Sequence, residues 1–271
     1  MQYPLFVDSN HTANYRVFRP GYPQQLYKHI LEYYFNTTTP DKKIPLALDV
    51  ACGSGQATVD LSNYCEKVIG IDGSENQLKQ AQQKDNIEYQ CHYAEDLSFL
   101  QSNSIDLITV ATALHWFDIE NFFKQVDRVL KPNGGVLSIW SHGLDKPAND
   151  KAANVKLDFI NNDLNGCWND RRKIVEEQYL SILDSFPYQA TRVKHVIDYE
   201  IEMTIENYIK FTETMSPCQT YKEKNGEENF KKLLKTFADK LVECYTGTNN
   251  DGYKTKMIVK WSIHLHLMKK L

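Results

Sequence analysis

Residues 46–58 read Leu46-Ala47-Leu48-Asp49-Val50-Ala51-Cys52-Gly53-Ser54-Gly55-Gln56-Ala57-Thr58. An apolar run of strand length passes into a turn of small residues and then into a helical segment, which is the opening of a βα unit. Small residues let the backbone approach a ligand closely, and the N–H groups of the following helix face it. The third glycine of the dinucleotide fingerprint is missing, since Thr58 stands in its place. Asp49 is more informative, because a carboxylate beside the turn repels a pyrophosphate and attracts an ammonium or a sulfonium. An NAD-dependent oxidoreductase is therefore a distant alternative.

Outward from this turn, short apolar runs alternate with amphipathic stretches as far as about residue 143, the pattern of βα units around a parallel sheet. The expected strands are Leu46–Ala51, Lys67–Ile71, Ile87–Cys91, Ile105–Val110 and Gly135–Ser141. Asp118–Leu130 reads as a helix: Asp118 caps it, Ile119, Phe122, Phe123, Val126, Val129 and Leu130 form one apolar stripe, and Lys131-Pro132-Asn133-Gly134 stops it. Ser74–Gln83 is a second expected helix. Beyond Ser141, residues 145–184 suggest two helices around a polar break, 191–199 a strand, and 204–213 and 227–245 further helices. Met257, Val259, Trp261, Ile263, Leu265 and Leu267 alternate with Lys260, Ser262, His264 and His266, so the chain ends in a strand, expected at an antiparallel edge of the sheet. No repeat or linker divides residues 1–271, which leaves one domain with a helical cap drawn from 1–40 and 145–185.

Composition narrows the partners. Among 271 residues, Lys+Arg 31 against Asp+Glu 35 gives a formal charge of −4, and no basic block appears, so nucleic acid and anionic membranes are disfavoured. No apolar run approaches the ~20 residues of a spanning helix. Six scattered cysteines without a C-x-x-C, and a start lacking a basic then apolar leader, point to reduced thiols in the cytoplasm. Oligomeric state is not legible.

Asp72 ends the second strand, 17 residues after Gly55, and Gly73 follows it. Alone it would be a helix cap; at this spacing from the glycine turn, a carboxylate can accept both hydroxyls of a ribose. The ordered set Asp49–Gly55, Asp72, Tyr93-Ala94-Glu95-Asp96, Ser104-Ile105-Asp106 and Leu130-Lys131-Pro132-Asn133-Gly134-Gly135 resembles the class I S-adenosylmethionine-dependent methyltransferases. Phe6, Asp8, His11, Tyr15, Arg19-Pro20 and Tyr22-Pro23, with Leu114-His115-Trp116-Phe117, resemble the subgroup that includes the fungal trans-aconitate methyltransferases.

The resemblance implies a Rossmann-like seven-stranded mixed α/β sheet with a helical cap, and S-adenosyl-L-methionine as cofactor. It implies that Ala51, Gly53 and Gly55 cradle the methionine part, with Asp49 setting its electrostatics, Asp72 and Gly73 at the ribose, and Ala94 and Glu95 (or Asp96) at the adenine. Tyr15, Arg19 and Ala111 would complete the cofactor site, and His115 and Trp116 would lie beside the methyl. Ala51 replaces a common glycine and Tyr93 a common acid. The acceptor is expected to be a small molecule, with a carboxylate first by analogy to the subgroup; an amine or hydroxyl acceptor, or a cofactor-binding partner protein without catalysis, are the alternatives. A carboxylate needs no base, whereas an amine or phenol would call on His115. Trp116 and Trp140 are candidate walls of the acceptor pocket, Arg19, Arg171 and Arg172 candidate contacts to an anion, and no metal site is expected from His264 and His266.

Overall fold

A computed structural model describes residues 21–245 and 251–271. Tyr15 and Arg19, like the rest of the N-terminal motif before Gly21, lie outside the described residues.

The apolar runs become strands because alternate residues bury on opposite faces. Ile44–Val50 (β1) pairs in parallel with Cys65–Asp72 (β2) and with Leu107–Ala111 (β4); Ile87–Cys91 (β3) extends the sheet beyond β2, and Val136–His142 (β5) extends it beyond β4. Leu48, Val50, Ile69, Ile71, Ile108, Val110, Leu137 and Ile139 face one layer. Ala47, Val68, Leu107, Val136 and Trp140 face the other. Trp140 is thus a fully buried core residue, edge-on to Tyr22 at 5.4 Å, and not a pocket wall.

Three further strands complete an eight-stranded sheet of order β3-β2-β1-β4-β5-β8-β6, with β7 also paired to β8. These are Lys146–Pro147 (β6), Val193–Thr204 (β7) and Lys256–Lys269 (β8). With the two-residue β6 set aside, this is the expected seven-stranded mixed sheet. The last strand, however, is not an edge. Ile263 pairs with His142 on one side and Ile197 on the other, so β8 is interior and β7 takes the edge. The alternation ends accordingly: His266 and Met268, on the face opposite Leu265 and Leu267, are also fully buried.

Gln24–Phe35 (α1) buries Leu26, Tyr27, Ile30 and Leu31 in the cluster that contains Ala47, Leu107 and Val136. This stretch, expected in the cap, is a layer of the sheet. Gln56–Leu61 (α2) lies on the same side. Glu75–Leu78 (α3) is shorter than the expected Ser74–Gln83, since the polar run after it offers only Ala81 for burial. Ile119–Val129 (α4) covers the opposite face through Phe122, Val126 and Val129, with Asp118 Oδ1 accepting from the Asn121 N–H at 3.3 Å. No helix among the described residues is long and apolar enough to cross a membrane.

A separate apolar cluster holds the helical layer together. Asp150–Asp158 (α5), continued by a π-turn at Phe159–Asp163, packs with Ile205–Glu213 (α8), Ser216–Asn225 (α9) and Glu227–Glu243 (α10) against Met257, Val259 and Trp261 of β8. Arg172–Glu176 (α6) and Leu180–Leu183 (α7) lead back toward the sheet. Inside the layer, the Lys156 ammonium sits 3.3 Å from the Asp145 carboxylate, with side chains only 2% and 3% exposed, and the Tyr208 hydroxyl donates to the same carboxylate. Removing one partner of such a pair strands the other's charge. Lys156→Met should cost about 3–5 kcal/mol in urea unfolding, and adding Asp145→Asn should recover most of it; a single variant within about 1 kcal/mol of wild type would show that the pair carries no such weight.

Candidate active site

Open α/β sheets bind ligands beyond the carboxyl ends of their strands where strand order reverses, here between β1 and β4. A cleft of about 480 Å³ opens there, lined from β1 and its turn by Ala51 and Gly53, from β2 by Asp72 and Gly73, from the segment after β3 by Ala94 and Glu95, and from β4 by Ala111 and Thr112. These are the groups the sequence singles out. The structure brings them together at one edge.

Three expected residues take different positions. Asp49 is fully buried beneath the turn and does not line the cleft; its two oxygens accept from the Thr58 and Thr109 hydroxyls, both at 2.6 Å. Burial pushes its carboxyl up to about 6 against the opposing pull of those two bonds. Gly55 also stays outside the lining. Its φ of +84° and the Tyr89 hydroxyl packed where a Cβ would stand require glycine for the turn itself. Asp96 is exposed and accepts from the Ser98 N–H, so of this pair only Glu95 lines the cleft, with one oxygen already accepting from the Asp118 N–H at 2.8 Å.

Asp72 is oriented by two backbone donors, Gly53 N–H at 2.9 Å and Ser74 N–H at 2.8 Å, one to each oxygen. Each oxygen keeps a lone pair for a hydroxyl. Burial raises its carboxyl above the usual range. Gly73 carries no side chain because the Tyr93 ring lies where a Cβ would be, 2.8 Å away. Sequence reasoning missed Gln77, which is 3% exposed, lines the cleft and has an Oε1 without a partner among the described residues. A buried orphan acceptor together with a carboxylate presenting two free lone pairs fits a ligand rich in hydroxyl and amino donors.

Thr112 and Trp116 also line a second cleft, of about 360 Å³, bounded by His115, His142, Trp168, Arg171, Arg172 and His264. Arg172 is engaged, bonded to Glu176 at 2.5 Å and lying over Trp168 at 4.0 Å. Arg171 donates to the His115 carbonyl at 2.9 Å, lies 5.7 Å from the centre of the Trp116 ring and forms no ion pair among the described residues. His115 is driven down to about 4 by burial and by the Arg171 charge, and is neutral at physiological pH. No motif announces His142, Trp168 or His264; the fold alone gathers them.

Comparisons with known proteins agree with this geometry. Residues 48–138 match the family model described as a methyltransferase domain. A Dictyostelium discoideum protein named as a methyltransferase is 33% identical over 262 residues, covering 96% of this chain and 93% of that one. The chain belongs to the S-adenosylmethionine-dependent methyltransferases. CRG1 of Saccharomyces cerevisiae, whose name describes an S-adenosylmethionine-dependent methyltransferase, is 24% identical over 96% of this chain and 95% of its own. A solved structure from Anaeromyxobacter dehalogenans, described as a type II methyltransferase, superposes with a TM-score of 0.76 at 26% identity, covering 94% of this chain and 99% of that one. S-adenosylmethionine is the cofactor of this enzyme.

The Asp49 shift has a measurable consequence for the methyltransferase. Its folded pKa of about 6 lies above the unfolded ~3.9, so the folded chain holds the proton more tightly. The stability from this group is complete below about pH 4 and falls as pH rises through 6, by on the order of 2–3 kcal/mol. Asp49→Asn should flatten that window. Urea midpoints followed from about pH 4 to pH 7 test it, and parallel curves for the two proteins would contradict it.

Proposed function

We propose that this methyltransferase esterifies a carboxylate of a small-molecule acid held in the second cleft. The observation that carries the proposal is Arg171, a guanidinium without an acidic partner among the described residues, in a pocket that shares Thr112 and Trp116 with the cofactor cleft. A planar guanidinium is suited to a carboxylate, and a pocket of about 360 Å³ is suited to a small molecule. The resemblance to the trans-aconitate subgroup supports the same acceptor class.

In this proposal Asp72 accepts the ribose hydroxyls and Gly73 leaves room for them, Ala94 and Glu95 meet the adenine, and Ala51, Gly53 and Ala111 border the methionine part, with Tyr15 and Arg19 contributed by the N-terminal segment. Asp49 beneath the turn supplies negative charge close to the cationic end. S-adenosylmethionine, when bound, supplies a methyl group on a positively charged sulfur. A carboxylate oxygen attacks without losing a proton, so the chain's task is to align it with the methyl and keep water out. Arg171 holds the acid, and Trp116 with His115 shapes the passage between the clefts. Residues 145–185 would cap this passage within a single domain.

Transfer to an amine or phenol would require a base. His115, held neutral and at about 4, is a weak one.

Purified full-length chain incubated with S-adenosylmethionine and parallel panels of small carboxylic acids, amines and phenols should give methyl esters in the acid panel, read by mass spectrometry. Product from the amine or phenol panel alone would overturn the acceptor, and no product from any panel, with cofactor binding intact, would favour a non-catalytic role. Arg171→Ala should raise the KM for the acid about tenfold or more while cofactor affinity is unchanged. Asp72→Ala should weaken cofactor binding roughly ten- to a hundredfold by calorimetry. An unaltered dissociation constant in a folded Asp72 variant would remove it from the ribose.

A further inference from the structure

Among the described residues, His115 has a hydrogen-bond partner on one ring nitrogen only. Its Nδ1 lies 3.0 Å from the Tyr179 hydroxyl, and the two rings stack with centroids 5.9 Å apart and planes 18° from parallel. Tyr179 is fully buried, and among the described residues that hydroxyl has no other partner. The placement costs backbone strain: Gln178 and Tyr179 are consecutive left-handed residues, at φ of +58° and +63°, a region that side chains with a Cβ seldom occupy. Strain of this kind persists where the surroundings impose it.

The direction of this hydrogen bond follows from what each alternative leaves unpaired. If the Nδ1 proton were donated to the tyrosine oxygen, the tyrosine O–H would be stranded in the core, a costly orphan donor. If the tyrosine donates and Nδ1 accepts, the capacity left unused in the core is a lone pair of the tyrosine oxygen, the milder defect, and the Nε2–H is left to the second cleft that His115 lines. We propose that Tyr179 is a positioning residue whose hydroxyl donates to Nδ1 of His115, fixing the imidazole proton on Nε2 so that the second cleft meets a hydrogen-bond donor and not a base.

The other groups around His115 favour the same outcome. Arg171 bonds its backbone carbonyl, the Trp116 ring tilts against it at 4.7 Å, and the remaining ionisable groups lining the cleft are His142, His264, Arg172 and the Glu176 already bonded to Arg172. None of them is a free carboxylate that would draw a second proton onto the imidazole. Nε2–H and the Arg171 guanidinium then form a two-donor receptor for an oxygen that arrives ionised. This rests on the reading of the second cleft as the acceptor site.

Nitrogen-15 NMR of the cofactor-free full-length chain, labelled at histidine and assigned with His115→Gln, reads the tautomer without any turnover. The expected spectrum has His115 Nδ1 in the unprotonated range and Nε2 in the protonated range. Tyr179→Phe, which keeps the ring and deletes the hydroxyl, should shift both signals toward a tautomer mixture and lower kcat/KM for the acid about tenfold, with cofactor affinity unchanged. A proton on Nδ1 in the wild-type protein overturns the proposal, as does a folded Tyr179→Phe with wild-type His115 signals; should that variant not fold, the wild-type spectrum decides alone. A correct tautomer with no acid methylated refutes the acceptor and leaves the role of Tyr179 standing, whereas methyl esters with the proton on Nδ1 refute Tyr179 alone.

Discussion

The two threonine hydroxyls that donate to Asp49 tie together the three elements meeting at the switch point. Thr58 belongs to α2, after the glycine turn, Thr109 to β4, and Asp49 to β1. A fully buried carboxylate is costly, and two short hydrogen bonds from neutral donors offset only part of that cost. The remainder is visible as the raised Asp49 carboxyl. What the arrangement secures is register: β1 cannot slide against β4, nor α2 lift from the sheet, without leaving that carboxylate unpaired. The position of Ala51, Gly53, Ala111 and Thr112 around the cleft depends on it.

Beyond this tie, the two switch-point strands leave the sheet in the same way. Ala51 after β1 and Thr112 after β4 both adopt left-handed backbone, at φ of +55° and +53°. For alanine this is a modest penalty, and for a β-branched threonine a true outlier. Both residues line the first cleft, and Thr112 also lines the second. Strain is therefore concentrated where the two clefts meet, and the packed sheet beneath is rigid enough to bear it.

Much of this was legible in the residues themselves. The strand and turn at 46–55, the carboxylate of Asp72 and the stripe of α4 are local patterns, and local patterns survive folding when tertiary contacts agree with them. The illegible parts share a cause: each depends on a neighbour distant in the chain. Trp140 is core because α1 and Tyr22 cover its face of β5, and β8 is interior because β7 closes its far side. Asp49 and Gly55 stand out in the sequence, yet Thr109 and Tyr89, which meet them in the fold, lie far along the chain and give no local sign. Tyr179 had no signal of any kind, since nothing in Gln178-Tyr179 foretells a pair of left-handed residues.

The second cleft is built differently from the first, and this bears on what each can recognise. Backbone turns and strand ends form most of the first, so its shape is inherited from the sheet. Side chains from the helical layer form much of the second: Trp168, Arg171, Arg172 and Glu176 come from the segment that includes α6, and Thr214, Ser216 and Gln219 from α9 and the turn before it. The α8, α9 and α10 helices are anchored through an apolar cluster of their own, with Lys156 and Asp145 inside the layer, whereas Ile174 and Val175 of α6 and the following Tyr179 pack into the cluster that holds Leu48, Val50, Ile69 and Ile71. Substitutions on α9 can thus reshape one wall of the second cleft without disturbing Asp49 or Asp72, while α6 is tied to the strands beneath the first cleft. One cofactor site can therefore serve different acceptors in related chains, and the side chains that α6 and α9 carry to the rim of the second cleft are where such differences can be built.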